Sequence, residues 1–130
     1  MDLNEKTVVW REDPQPELLP VARLPKDACN FTWLSFSTHA GTHVDAPFYL
    51  FNDKWTADAI PFERLIGRCQ VIDVSDVADM ITDEDLRKHA ITEKIVLLKT
   101  KNSADPMRGY NRNHVAMDAC AAEYLLAQGV

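Results

Sequence analysis

The feature that most constrains the fold is the alternation of element types in the second half of the chain. Two short apolar runs, residues 69–75 (CQVIDVS) and 94–100 (KIVLLKT), predict strands, and the second run is of the fully buried kind. Each run is followed by a segment with helical character, first residues 82–90 and then residues 114–129. Because the order strand, helix, strand, helix favours parallel pairing, we predict an α/β domain.

The two predicted helices carry recognisable end signals. Thr82 is followed three residues later by Asp85, a spacing similar to that of a capping box, which predicts a short helix from this point. The longer segment, residues 114–129, is rich in alanine and reaches Gly129, a residue type that commonly ends helices. Its predicted apolar face comprises Met117, Cys120, Ala121, Tyr124, Leu125 and Gln128.

The first half of the chain favours strands and turns. Residues 10–25 hold four of the seven prolines, and proline removes a backbone donor, so this stretch is predicted to be extended chain and turns. Residues 30–38 (NFTWLSFST) alternate apolar with small polar side chains, which predicts a strand with apolar groups on both faces. Residues 59–68 (AIPFERLIGR) predict a short helical turn that Gly67 ends.

The composition narrows the class of protein. With 130 residues, 46% hydrophobic and 26% charged, the chain is expected to form a single soluble domain over residues 1–130. A formal net charge of −6 and a pI near 5.1 argue against nucleic acid or an anionic membrane as the partner. The sequence has no apolar run of about 18 residues and no apolar signal region at its N-terminus, so we expect neither a membrane span nor secretion.

The cysteine content indicates a reducing compartment. Cys29, Cys69 and Cys120 are scattered, odd in number, and form no CxxC pair. Disulfide frameworks belong to oxidising compartments, and this pattern does not resemble one. We therefore predict a cytoplasmic protein whose small thiols are reduced and buried.

Two histidines and an aspartate lie close together in STHAGTHVDAPFYLF, residues 37–51. His43 and Asp45 are two residues apart, so in an extended segment their side chains point to the same side. Gly41 permits a turn with positive φ that would bring His39 to the same point. Imidazole and carboxylate are preferred ligands of Zn²⁺, Mn²⁺ and Fe²⁺, so the cluster predicts a metal site.

Other interpretations of the histidines stay open at this level. The cluster is also compatible with a hydrogen-bonded turn in which Asp45 and Thr42 satisfy loop amides. Two histidines and a carboxylate are likewise the ligand set of Fe(II) oxygenases, although the third ligand of those enzymes normally lies far downstream. His89 lies among charged residues and His114 at a predicted helix start, which favours surface or capping roles for both.

The segment HAGTHVDAP, residues 39–47, resembles the HxGTHxDxPxH motif of the metal-dependent, cyclase-type hydrolases related to kynurenine formamidase. VVWREDPQPEL resembles the family's N-terminal segment, although Arg11 and Glu12 stand where Pro-Gly is usual. The segments IPFERLIGRCQVIDVS, ITDEDL, KIVLLKTKNS and AAEYLLAQGV are similar to those that follow the metal loop in this family. The resemblance therefore covers nearly the whole chain.

This resemblance implies a β/β/α layered, swivelling-type domain that forms homodimers. It implies hydrolysis of a small amide, formamide, lactam or lactone substrate by water that a divalent metal ion, Zn²⁺ or Mn²⁺, activates. His39, His43 and Asp45 would be the metal ligands, with Asp45 able to bridge two ions. The aromatic residues that would line an apolar pocket, or alternatively belong to the core, are Trp33, Phe48, Tyr49 and Trp55.

Two departures from the family pattern favour a second hypothesis. Tyr49 stands where the motif has a histidine that the resemblance casts as the general base, and a phenol is a poor base at neutral pH. The family's later strands, with a histidine and a glutamate of the metal site, have no counterpart before Val130, so we expect a chain that lacks the C-terminal part. Three protein ligands would then hold a single ion. The alternative function is a catalytically silent relative that acts as a metal-binding or interaction module, and we assign no catalytic residue.

The same expectation bears on assembly. A domain without its later strands would leave apolar surface uncovered, and such surface favours association. The sequence therefore predicts a homo-oligomer, or assembly with a second polypeptide that carries the remainder of the site.

Overall fold

The computed structural model describes residues 3–104 and 109–130, which divide into two compact units. The described residues of the first unit are 3–45 with 109–110, and those of the second are 46–104 with 111–130. The described elements are six strands, two α-helices and four short 3-10 turns, so the predicted α/β class is confirmed. Neither of these α-helices is long and apolar enough to cross a membrane.

The first unit is organised around an antiparallel strand pair. β1, Glu17–Ala22, lies beside β2, Phe31–Ser35, which confirms the strand predicted at this second position. The prediction of turns and extended chain for residues 10–25 was incomplete, because β1 forms in spite of Pro20. The pairing register shifts between Pro20 and Ala22, an irregularity of the kind that lets a strand include a residue without an N–H donor.

Strands of the second unit pair in parallel, as predicted. β3, Cys69–Asp73, lies beside β5, Ile95–Lys99. A further parallel pair joins β4, Met80–Ile81, to β6, Ala116–Met117. The sequence did not predict this further pair, since two residues are too few to show a strand periodicity.

The first helix begins at the predicted signal. α1, Asp83–Leu86, starts with a capping box between Thr82 and Asp85. The Asp85 N–H donates to Thr82 Oγ1 at 3.4 Å, and the Thr82 N–H donates to Asp85 Oδ2 at 3.1 Å. Each side chain therefore satisfies a donor that the first turn of the helix would otherwise leave without a partner.

The second helix begins later than predicted. α2, Ala119–Ala127, starts after Asp118, whose side chain accepts a hydrogen bond from the Ala121 N–H at 2.8 Å. Residues 114–117 were wrongly assigned to this helix, because Ala116–Met117 is drawn into β6 instead. Gly129, with a φ of +86°, follows the helix and confirms the predicted end.

Because α2 begins later in the chain than predicted, fewer of its residues are buried than predicted. Ala121 and Leu125 are buried, and Tyr124 is half-buried. Met117 and Gln128 lie outside the helical span and are exposed. The helix therefore contacts the core through about one residue per turn.

The three cysteines are free but exposed, so the prediction of buried thiols was wrong. Cys69 lies on the outward side of β3, since Ile72 takes the opposite, buried side of the alternating strand. Cys120 precedes the buried Ala121 in α2, and adjacent helical residues point in different directions. Residue type alone did not reveal which side of each element faces the core.

The hydrophobic core of the second unit joins both parallel strand pairs and both helices. Its buried members are Ile72, Val74, Ile81, Leu86, Val115, Ala121 and Leu125. The Asn102 side chain fixes Val115 beside this core, donating to its carbonyl at 3.0 Å and accepting from its N–H at 2.9 Å. These two hydrogen bonds fix the backbone of Val115, the residue that precedes β6.

The short helical turn predicted within residues 59–68 is present as the 3-10 turn Phe62–Arg64. A second 3-10 turn, Ala57–Ala59, comes just before it and was not predicted. Gly67 does not end either turn through a left-handed backbone, since the positive-φ glycines are Gly41 and Gly129. A Cβ at Gly67 would lie 3.3 Å from the Ile95 Cδ1 atom, so this glycine permits a close approach to β5.

Acid is expected to weaken the start of α1 through Asp85. The hydrogen bond from Lys88 and those from the backbone and side chain of Thr82 lower the pKa of Asp85 from 3.8 to about 2. Because the pKa is lower in the folded state, this stabilisation is complete above pH 3.8 and is lost as the pH falls toward about 2. Urea unfolding of D85N and wild type at both ends of this range checks the effect.

We expect the difference in unfolding free energy between D85N and wild type to shrink at the acidic end. Glu84→Gln, in the same first turn, is the matched control for removal of one carboxylate. A difference for D85N that stays constant across the range would contradict this assignment.

Candidate metal centre

The predicted ligand cluster lies in the loop that follows β2, within the first unit. The Ala40 N–H donates to the Ser37 carbonyl at 2.9 Å, which closes a turn just before Gly41. Gly41 has a φ of +73°, as the sequence predicted for this position. Residues with a Cβ rarely adopt this conformation, so the direction of the loop depends on a glycine at position 41.

The turn brings the three predicted ligand side chains together. His39 Nδ1 lies 3.2 Å from His43 Nε2 and 3.2 Å from Asp45 Oδ1. His43 Nε2 lies 3.7 Å from the same carboxylate oxygen. These groups form a cluster in which potential ligand atoms from all three residues lie within 4.8 Å of one another.

A backbone contact sets the orientation of the His43 ring. His43 Nδ1 lies 2.9 Å from the Gly41 carbonyl oxygen, which can only accept a hydrogen bond. The proton of the neutral ring therefore belongs on Nδ1, and Nε2 presents its lone pair to the cluster. Metal-binding histidines are commonly held in one tautomer by a contact of this kind.

The spacing of the donor atoms fits a tetrahedral metal ion. Zn²⁺ binds imidazole nitrogen at about 2.0–2.1 Å and carboxylate oxygen at about 2.0–2.2 Å, so its ligand atoms lie roughly 3.3–3.5 Å apart. The separations of 3.2, 3.2 and 3.7 Å in the cluster bracket this value. Two imidazoles and one carboxylate also match the ligand preferences of divalent Zn, Mn and Fe, and a tetrahedral ion would keep its fourth position open.

The cluster is accessible to solvent. The side chains of His39 and His43 are each 31% exposed, and that of Asp45 is 45% exposed. A group of ligands closed off by protein would suit a structural ion, whereas an accessible group leaves space for water or a small molecule. The arrangement can therefore support chemistry at the open position.

The predicted pocket aromatics are not core residues. Tyr49 ends the 3-10 turn Pro47–Tyr49 in the second unit, and its side chain is 59% exposed. The other three aromatics are also exposed, and they are Trp33 at 58%, Phe48 at 49% and Trp55 at 50%. The alternative that places these residues in the core was wrong, and their role in lining a pocket stays a prediction.

The remaining two histidines lie in the second unit. His89 is half-buried just after α1, and its N–H donates to the Leu86 carbonyl at 3.0 Å. His114 is exposed, and its Nδ1 lies 3.1 Å from the Asn111 carbonyl oxygen. His114 precedes β6 and does not begin a helix, so the predicted position at a helix start was wrong.

Sequence reasoning missed one contact that supports the cluster. The Ser37 hydroxyl donates to Asp13 Oδ2 at 3.1 Å and accepts from the His39 N–H at 3.2 Å. A serine at the first position of a turn is a local signal for a side-chain bond to the backbone. The partner Asp13 gives no such signal, because it is 24 residues away in the chain.

A family model and several known proteins are similar in sequence to this chain. The model of the family described as "Putative cyclase" matches residues 1–130. Kynurenine formamidase from Salinibacter ruber is 31% identical over 107 residues, which are 80% of this chain and 50% of that protein. Kynurenine formamidase from Erythrobacter litoralis is 32% identical over 97 residues, which are 75% of this chain and 44% of that protein. The chain thus spans about half the length of these curated relatives.

Two solved structures share the fold. A potential metal-dependent hydrolase with cyclase activity matches 99% of this chain, at 28% identity and a TM-score of 0.80. A predicted metal-dependent hydrolase from Bacillus stearothermophilus matches 100% of it, at 28% identity and a TM-score of 0.77. The match covers 61% of the first of these proteins and 62% of the second, so both are longer than this chain.

Proposed function

The chain belongs to the cyclase family, and on this premise we propose that it is a metal-dependent hydrolase of a small amide, formamide, lactam or lactone substrate. The observation that carries the proposal is the cluster of His39, His43 and Asp45, whose donor atoms have the spacing of ligands around one ion. The description of both structural neighbours as metal-dependent hydrolases supports the same reaction class.

The chain's own residues would hold and orient the ion. Nε2 of His43 presents a lone pair because Nδ1 is bonded to the Gly41 carbonyl. The Asp45 carboxylate lies against both imidazoles, so it supplies negative charge beside the ion. A bound Zn²⁺ or Mn²⁺ would supply Lewis acidity, which lowers the pKa of water and polarises a carbonyl group.

The substrate class comes from the relatives. Kynurenine formamidases hydrolyse, as their name states, a formamide, and they match most of this chain. We therefore place formamides first among the substrates to be tested, followed by lactams and lactones. Exposure of the cluster leaves room for such a small molecule beside the ligands.

A silent metal-binding or interaction module is the second candidate function. Tyr49 at the position of the motif's last histidine favours it, since a phenol is a poor general base at neutral pH. In this case the cluster would still bind an ion but would not accelerate hydrolysis. Binding and turnover must therefore be measured separately.

The deciding experiment measures both properties on one preparation. Elemental analysis after loading with Zn²⁺ or Mn²⁺ should give about one ion per chain, as expected for a three-ligand site. Hydrolysis of N-formylkynurenine, isatin and a simple lactone is then followed with and without the metal. Metal-dependent turnover supports the hydrolase, bound metal without turnover supports the silent module, and a chain without metal contradicts both.

We also propose a homo-oligomer, as predicted from the sequence. Leu19 and Trp33 are register partners across β1 and β2, and they are 52% and 58% exposed. Burial of such apolar side chains against a second copy would be favourable. Sedimentation equilibrium checks this proposal, and a monodisperse monomer across the concentration range would refute it.

The cytoplasmic location and the single domain over residues 1–130 stay predictions.

A further inference from the structure

We infer that Ser37, held by Asp13, is a positioning residue for His39 in the cluster. This inference rests on the proposed function, since it assigns a residue that prepares the same metal site. Ser37 lies two residues before His39 and does not itself supply a predicted ligand. Its contribution would be to fix where the loop places the first imidazole.

The hydrogen bonds of Ser37 have a defined direction. A carboxylate only accepts hydrogen bonds, so the Ser37 O–H must donate to Asp13 Oδ2 across the 3.1 Å contact. The hydroxyl's single proton is thereby used, and its lone pairs remain for the His39 N–H, which lies 3.2 Å away. Asp13 therefore sets the rotation of the hydroxyl that binds the His39 backbone.

Both ends of this connection are held in place. The Asp13 N–H donates to the Trp10 carbonyl at 2.9 Å, so the carboxylate projects from a closed turn. The Trp10 ring contacts Tyr110 edge to face, with 4.4 Å between ring centroids. On the other side, the Ser37 carbonyl accepts from the Ala40 N–H at 2.9 Å, at the start of the turn that leads to Gly41.

The connection acts on a ligand whose position is sensitive to small shifts. His39 Nδ1 lies 3.2 Å from both His43 Nε2 and Asp45 Oδ1, so a displaced His39 backbone would lose both spacings. Ser37 and Asp13 are half-buried, which limits competition from water for their hydrogen bond. Substitution of residues that orient metal ligands typically lowers metal affinity by about 10–100-fold.

The experiment measures Co²⁺ binding to the full chain by titration and by the visible absorption of the bound ion. We expect S37A to bind Co²⁺ about 10–100-fold more weakly than wild type and to show an altered absorption band. Ser37→Thr retains the hydroxyl and should restore most of the affinity. Ser75→Ala is the matched control, since Ser75 makes a similar hydrogen bond of 2.6 Å to Asp73 in the second unit.

A second pair of variants keeps the test decisive if S37A does not fold. Asp13→Ala should reproduce the loss, and Asp13→Asn, which still offers an acceptor oxygen, should lose less. Circular dichroism with a chelator present establishes that each variant is folded without metal. Affinity and spectrum equal to wild type in both folded S37A and folded D13A would overturn the inference, whereas a wild-type chain that binds no Co²⁺ would instead overturn the proposed function.

Discussion

Replacement of His43 by alanine is expected to lower the affinity of the chain for Zn²⁺ by more than about 100-fold, beyond the usual effect of residues that only orient ligands. The substitution removes Nε2, the atom that lies 3.2 Å from His39 Nδ1 and 3.7 Å from Asp45 Oδ1. It leaves two protein ligands, fewer than the three or four that Zn²⁺ sites in proteins normally have. Competition with a chromophoric chelator measures the affinity, and elemental analysis measures the bound metal.

The matched control for this prediction is His114→Ala. His114 is an exposed histidine of the second unit and is not a member of the cluster, so its removal should leave Zn²⁺ affinity unchanged. Equal metal content in H43A and wild type would show that the metal is held by other groups. Equal losses in H43A and H114A would show adventitious binding by surface imidazoles.

The second large effect is expected on stability, from replacement of Leu86 by alanine. Leu86 is 0% exposed and ends α1 within the core of the second unit. Truncation of a buried leucine removes apolar contacts and leaves a cavity, which costs about 2–5 kcal/mol of unfolding free energy. Urea unfolding followed by circular dichroism at neutral pH measures this loss.

Leu126→Ala provides the comparison for Leu86→Ala. Leu126 lies in α2 and is 69% exposed, so the same chemical change there should alter the unfolding free energy by less than about 0.5 kcal/mol. A similar loss in both variants would mean that the apolar surface around Leu126 is covered in solution. A small loss in L86A would contradict the core described for the second unit.

Local signals were enough to predict the cluster and several elements. His39, His43 and Asp45 lie within seven residues, so one glycine turn suffices to bring them together, and Gly41 has the required positive φ. The capping box at Thr82 is also formed by neighbours in the chain. In each case the interacting groups are separated by only a few residues, so both partners can be recognised within one short segment of the sequence.

Contacts between distant segments could not be predicted in this way. β4 and β6 are separated by more than thirty residues along the chain. Because they pair, Ala116–Met117 forms a strand and is not part of the predicted helix. The exposure of Cys120 likewise depends on which side of α2 meets the core. Helix propensity was outweighed by strand pairing, which a single segment does not reveal.

Residue types and their spacing were sufficient to predict the three candidate ligands, the glycine among them and the parallel α/β pattern of the second half. These features depend on residue type, local spacing and backbone freedom, all of which are properties of short segments. The hydrogen bonds that join Asp13 to Ser37 and Ser37 to the His39 N–H were found only in the folded structure. A hydrogen bond between residues 24 positions apart forms only once the fold has brought its donor and acceptor together.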